Sequence, residues 1–464
     1  MINSNRRKFL KLSAYAAALL GLPFKDAYSY DQIENSMDKV LHPRPKNNKP
    51  VIGLQVAPIG NVRVGIIGIG NRGFGHMKQL MALKHKATIT AIADIHSSKL
   101  EQAIVHLKEK GLKTKTYGED KDSWKAMVRR DDIDLVIIAT PWNDHVPMAI
   151  EAMQNGKQVA MEVPAALSIA DTWDLVNTAE EMQVNCMMME NVCYGDEELW
   201  ILNMVKEGVF GTLTHAEAAY IHDLRALMFS KTYYYNQWRV RHHIKDDGNL
   251  YPTHGLGPIA QYMDIGRGDR FSKIVSMSSL QAGLSEYSQT LEPDNEFYKQ
   301  ADYIHGDMSS SLIKTAKGRS ILVQHDVVTP RPYNRINALG GTKAYHEGYP
   351  SRLSMNDFHN GHRWLEKEAY DEMRFKYKHP IWNELKDEID RNGGHGGMDF
   401  VQMYRLIDCL NKGKALDMDV YDAADWSVVT PLSKLSVELG SMPIDFPDFT
   451  RKEWEKEREL GIMR

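Results

Sequence analysis

The stretch that most restricts how this chain can fold lies between Val62 and Asp94. Val62–Ile67 is an apolar, β-branched run, too short for a useful helix, and reads as a strand buried on both faces. Glycines follow at once. Gly68, Gly70 and Gly73 spell G-x-G-x-x-G where the strand must turn into a helix, and a second apolar run, Ala87–Ala93, ends on Asp94. Without those flanks the triplet would be only a glycine-rich turn; with them it is a dinucleotide-binding fingerprint. Gly68 is expected to permit the tight turn, Gly70 to let the backbone approach a pyrophosphate, and Gly73 to let helix and strand pack closely. The helix N-terminus carries roughly half a positive charge and faces the phosphates. Asp94 is placed to accept from both ribose hydroxyls and to repel a 2′-phosphate, which selects NAD over NADP.

A chain of 464 residues is too long for one ordinary core, so two domains with appendages are expected. Residues 1–27 read as a twin-arginine signal: Asn5-Arg6-Arg7-Lys8-Phe9-Leu10-Lys11 precedes a moderately apolar run that is about half the ~20 residues needed to span a bilayer. The expected location is therefore the periplasm, reached by a pathway that exports proteins already folded. Residues 28–61 have little periodicity and read as a linker wrapped on the surface. Residues 62–193 alternate apolar strands with helices, as in a doubly wound parallel sheet of the Rossmann type, with ligands outside the carboxyl ends of its strands. From 194 to 464 the pattern becomes α+β: strands alternate apolar and polar residues, as expected of an open, mostly antiparallel sheet. Lys317-Gly318 and Gly340-Gly341 read as its hairpin turns. Two late helices, Met398–Asn411 and Val420–Leu439, are expected to pack across the domain boundary. The net charge of -4, with no basic stripe, argues against a nucleic-acid partner. Three scattered cysteines give neither a disulfide framework nor a zinc site, so no metal is expected. The open sheet face is where a second copy of the chain would associate.

Polar clusters unusual for a plain sheet protein follow the strands: Glu190 to Tyr194, Tyr220 to Arg225, Trp238-Arg239, Tyr251 to Gly255, Arg331 to Asn334 and Gly394 to Asp399. Each alone reads as an ordinary loop. Together they make a Tyr/His/Arg wall suited to sugar hydroxyls. His254, as the side-chain type best suited to exchange protons at neutral pH, and Tyr194, beside the expected nicotinamide position, are the candidates for proton transfer. For Tyr194 to act as a phenolate its pKa would have to fall by about three units, with Arg239 a source of that shift.

The pattern resembles the sugar-oxidoreductase superfamily of glucose-fructose oxidoreductase and inositol dehydrogenase. Members usually carry Glu-Lys-Pro after the fifth strand and a later Asp-x-Gly-x-His. Here Glu162-Val163-Pro164 puts valine in the lysine position, and Thr253-His254-Gly255 lacks the expected spacing. Those departures resemble glycoside hydrolase family 109, whose described activity is α-N-acetylgalactosaminidase, through P-W-x-x-H, M-E-V, E-N-V-C-Y, Y-x-H-D-L-R, Y-P-T-H-G, R-P-Y-N and G-H-G-G-M-D. The resemblance implies NAD contacts from Asn71, Arg72, Asp94, Trp142, Asn143, Asp144, His145, Glu162, Val163 and Asn191. It implies substrate contacts from Tyr220, Arg239, Tyr251, Pro252, Thr253, His254 and Tyr333.

The implied reaction departs from the usual pair of carboxylates. NAD takes a hydride from C3 of the sugar, the C2 proton becomes removable, elimination expels the C1 substituent, water adds, and the hydride returns. The substrate would be a small glycoside or the terminal sugar of a glycan. The alternatives are a conventional NAD-dependent sugar oxidoreductase and a non-catalytic sugar-binding protein that retains NAD.

Overall fold

In a computed structural model of the protein, residues 44–359 and 362–463 are described; residues 1–27, read above as an export signal, lie outside them. Six strands form the first sheet: β1 (Val62–Ile67), β2 (Ala87–Ala93), β3 (Lys115–Tyr117), β4 (Leu135–Ile138), β5 (Gln158–Met161) and β6 (Cys186–Met188). Their order is β3-β2-β1-β4-β5-β6, and every pairing is parallel. The order reverses direction at β1 and β4, which opens a crevice outside their carboxyl ends. Val64, Ile66, Leu135, Val136 and Ile137 are fully buried, as strands covered by helices on both faces require. The edge strand β3 escaped the sequence reading because two of its three residues are exposed. The helix Ile169–Met182 begins where Ser168 Oγ accepts from the Asp171 N–H at 3.0 Å.

The second sheet has eight strands in the order β13-β12-β11-β7-β10-β9-β8-β14. They are β7 (Leu213–Ile221), β8 (Phe271–Ser278), β9 (Ser309–Thr315), β10 (Ser320–Asp326), β11 (Ala338–Gly341), β12 (Ala344–Gly348), β13 (Ser351–Met355) and β14 (Ile444–Asp445). Only β7 and β10 run parallel; all other neighbours are antiparallel. Ile274, Ile313, Ile321 and Ala216 form one continuous buried row across the sheet, whereas Met277 and Leu312 on the opposite face are exposed. Lys317-Gly318 does turn β9 into β10. Gly340-Gly341 does not turn: both belong to β11, and the reversal falls on Thr342-Lys343. Gly341 is needed for close approach instead, since a Cβ there would stand 2.2 Å from the Phe210 carbonyl oxygen.

Two C-terminal segments return to the first domain. The helix Met398–Lys412 packs against Asn71–Ala82 and β1, and its Asp408 takes the Lys86 ammonium at 2.6 Å. The stretch expected as one helix from Val420 to Leu439 is two, Val420–Ser427 and Val429–Glu438. Pro431 explains the break, because it has no N–H for the Ser427 carbonyl. Residues 44–61 lie along the same side: Arg44 pairs with Glu180 at 3.1 Å, and the Val51 N–H donates to the Tyr421 hydroxyl at 3.2 Å. No helix among the described residues is long and apolar enough to cross a membrane.

Candidate functional site

A cleft of about 1430 Å³ runs from the glycine turn to the second sheet. That exceeds the roughly 300–1,000 Å³ typical of a site for one small ligand, so there is room for a dinucleotide and a sugar together. The glycines divide by role. Gly68 has φ +86, and a Cβ on it would meet the Ala139 carbonyl at 2.6 Å; on Gly73 it would stand 1.8 Å from the Gly68 carbonyl. Those two are demanded by the protein's own packing. At Gly70 a Cβ would meet nothing within 4 Å, so its backbone borders open cleft, as a pyrophosphate cradle requires. Asp94, at the end of β2, is aimed by two backbone donors: the Ile69 N–H reaches Oδ2 at 2.7 Å and the His96 N–H reaches Oδ1 at 2.8 Å. The turn, the open backbone and the oriented acid fit NAD.

Beyond the turn, Arg72 links three segments. Its Nε donates to Glu162 Oε1 at 3.0 Å and its Nη1 to Asp399 Oδ2 at 3.0 Å. His76, one helical turn on, bonds the same Glu162 oxygen at 2.6 Å. Burial alone would raise the Glu162 pKa, but the Arg72 charge and the His76 bond outweigh it and hold the carboxyl far below the usual range. Asp399 is likewise held low: burial opposes it, and bonds from His395 and Asn191 with the Arg72 charge prevail. Asn191 Nδ2 gives Asp399 Oδ1 its bond at 2.6 Å, which leaves its own buried oxygen without a partner.

Trp142 and His145 shape the wall. The Trp142 indole N–H donates to the Val163 carbonyl at 3.1 Å, and the ring meets Trp238, from the second domain, at 4.6 Å between centroids. Both His145 nitrogens lie 2.9 Å from carbonyl oxygens, of Pro164 and Thr140, and burial lowers its pKa. A neutral ring carries one of those bonds at a time and pins the turn after β5 to the end of β4. Asp144 lines the cleft, while Asn143 faces solvent outside it. Val163 puts no amine where the superfamily has lysine.

At the far end Tyr220, Arg239, Tyr251 and His254 come together. Tyr220 and Tyr251 rings lie 4.4 Å apart, and His254 stands 4.9 Å from Tyr251. The Arg239 guanidinium lies 5.0 Å from both the Trp142 and Tyr251 rings, with Tyr234 and Trp238 at 5.2 and 5.5 Å. Burial would lower its pKa; the surrounding phenols raise it, so it stays charged. Its Nη1 donates to the Tyr234 hydroxyl at 3.1 Å, while its buried Nε has no partner. His254 Nδ1 meets Glu190 Oε1 at 2.7 Å.

Not every expected residue reaches the cleft. Tyr194 lies in the turn Asn191–Tyr194, packed on the helix Met398–Lys412, and its hydroxyl donates to Asp417 at 3.2 Å in the core. Burial pushes its pKa well above 10, opposite to what a phenolate base needs, so its assignment to proton transfer is corrected. Pro252 and Thr253 are buried beneath Tyr251, outside the lining. Tyr333 also falls outside it, its ring edge-on to Tyr220 and its hydroxyl accepting from Arg335 at 3.2 Å. His76 and Tyr234 were missed, and Trp238 lay in a flagged pair without a role. Asp399 lay in a flagged motif without a role, and Glu190 in another. Among the described residues no group of three or more His, Cys, Asp or Glu is arranged for a metal, and all three cysteines are free and buried.

Known proteins match both halves. Residues 62–190 match the oxidoreductase family with an NAD-binding Rossmann fold, and residues 194–456 the C-terminal domain of glycosyl hydrolase 109. A glycosyl hydrolase family 109 protein of Shewanella putrefaciens is 47% identical over 472 residues, with both chains fully covered. An alpha-N-acetylgalactosaminidase of Shewanella oneidensis is 47% identical over 470 residues, again with full coverage. Levoglucosan dehydrogenase in complex with NADH and L-sorbose shares the fold with a TM-score of 0.65 at 17% identity, over 84% of this chain and all of its own. Apo scyllo-inositol dehydrogenase from Lactobacillus casei gives 0.57 at 14% identity, over 84% of this chain and 99% of its own. With an NAD-type turn and a Tyr/His/Arg wall on one cleft, and relatives matched from end to end, the chain belongs to glycosyl hydrolase family 109.

Proposed function

We propose that the protein is a glycosidase that cleaves α-N-acetylgalactosaminides by the NAD-dependent oxidation, elimination, addition and reduction route. One observation carries the reading: the sugar end of the cleft is lined by Tyr220, Tyr234, Trp238, Arg239, Tyr251 and His254, with no carboxylate among them. Displacement at a glycosidic carbon ordinarily needs two carboxyl groups flanking the bond. Several carboxylates line the rest of the cleft; of these Glu162 and Asp399 are committed to Arg72, and Asp94 to the backbone N–H groups of Ile69 and His96.

NAD, when bound, supplies the hydride acceptor for C3 of the sugar and returns the hydride at the end of the turnover. The chain's own residues handle protons and orientation. His254 Nε2 is the group to exchange a proton with the sugar. Tyr220 and Tyr251 are kept protonated by burial, so their hydroxyls donate hydrogen bonds to sugar oxygens. The Arg239 guanidinium, which lines the cleft and stays charged, offers a charged donor to an acceptor such as the acetamido carbonyl. The relative named alpha-N-acetylgalactosaminidase supports that sugar.

The test is release of the aryl group from an aryl α-N-acetylgalactosaminide by the purified protein without added cofactor, in deuterated water. Deuterium at C2 of the product is expected. Release without it would leave simple displacement, and net NADH accumulation on a free sugar would mark a dehydrogenase instead.

A further inference from the structure

We infer that Glu190 is a positioning residue for His254: its carboxylate claims the Nδ1 proton, so that the bare Nε2 is the atom turned to the cleft. The inference rests on the proposed function for what Nε2 does to a sugar, but not for how the ring is held.

Glu190 follows β6 and is completely buried. Its Oε1 accepts from His254 Nδ1 at 2.7 Å and from the Val192 N–H at 3.2 Å, and its Oε2 has no partner. Glu162 and Asp399 are both tied to Arg72, whereas the ion-pair partner of Glu190 among the described residues is His254 alone. An ionised carboxylate only accepts, and a neutral imidazole has a single N–H, so this pair fixes the proton on Nδ1.

Nε2 then faces the Tyr251 hydroxyl at 3.4 Å. That contact is long for a hydrogen bond and easily replaced by one from a sugar hydroxyl. The carboxylate cannot swing round to do the chemistry itself. A Cβ on Gly257 would stand 3.0 Å from Glu190 Cγ and 3.1 Å from Cys193 Sγ, which shows how closely the side chain is enclosed. When Nε2 takes a proton, the imidazolium already has its counter-ion in place, the arrangement by which a buried acid assists a histidine base.

The experiment compares wild type, Glu190→Gln, His254→Ala and the double variant on the holoprotein, alongside ¹⁵N-histidine spectra. Glutamine keeps the shape but can donate to Nδ1, which would move the ring proton to Nε2. A fall in kcat of about 10²–10⁴ is expected for Glu190→Gln, with KM and bound NAD unchanged. In the His254→Ala background the same change should cost nothing further. The wild-type spectrum should show Nδ1 protonated and Nε2 bare, reversed in Glu190→Gln. An equal loss in both backgrounds would mark a merely structural carboxylate and overturn the inference, as would a wild-type ring bare at Nδ1. The spectrum needs no substrate: if wild type cleaves no aryl glycoside the functional reading fails while the tautomer still decides this one. Should Glu190→Gln not fold, the wild-type spectrum decides alone.

Discussion

Arg72 between Glu162 and Asp399 determines how this site responds to acid. Both carboxyls are held below their reference values of 4.5 and 3.8, so their contribution to stability is full above those values and is lost as pH falls through the lower folded ones. Thermal melts should therefore drop steeply below about pH 4, and Glu162→Gln should blunt that acid limb; an unchanged limb would mean the pairing carries no stability. His254→Ala should lower turnover by about 10²–10⁴ with NAD still bound, whereas Tyr194→Phe should leave turnover intact and cost about 1 kcal/mol from the lost bond to Asp417. Parallel kinetics and melts on the two variants separate these outcomes. At this scale the sequence was half legible. Asp94 and His254 stand in motifs whose chemistry is local. Tyr194 was misplaced because a residue type beside a strand end says nothing of which way the chain turns next. Glu190 and His254 are 64 residues apart, a pairing that spacing cannot reveal.

Between β1 and its helix, the three glycines make separable demands. Gly73→Ala should destabilise the fold by about 3 kcal/mol, because its Cβ would strike the Gly68 carbonyl. Gly70→Ala, at φ -70 with nothing near, should leave the melt of the cofactor-free protein within about 0.5 kcal/mol of wild type while lowering NAD retention. Melting curves and NAD content of the two variants test this; equal loss of stability in both would remove the distinction. The strands that announced themselves are the largely buried β1, β2, β4, β5 and β6 and the alternating β7 to β11. Those that did not are short or at edges: β12 reads Ala-Tyr-His-Glu-Gly, whose Glu347 pairs with Arg352 of β13 and whose His346 bonds Glu197 on the helix Asp196–Lys206, partners distant in sequence or off the strand. The division of the late helix turns on Pro431, a local signal overridden in the reading by the apolar period around it.

For the molecule as a whole, we propose that Arg6-Arg7 belongs to a twin-arginine export signal, in which case folding and cofactor loading would precede export. Substituting both Arg6→Lys and Arg7→Lys should shift the protein from the periplasmic to the cytoplasmic fraction with its NAD content unchanged; activity assays on the two fractions check this. The helix Met398–Lys412 bears on when that loading happens. Asp399, which it supplies to Arg72, is made only after more than four-fifths of the chain has been synthesised. A nascent first domain can form its sheet alone, since domains fold as units during synthesis, but its nucleotide crevice lacks a wall until translation is nearly finished. Capture of the dinucleotide is thus expected late in synthesis or after it, and a chain truncated before residue 398 should fold its first sheet yet release the cofactor.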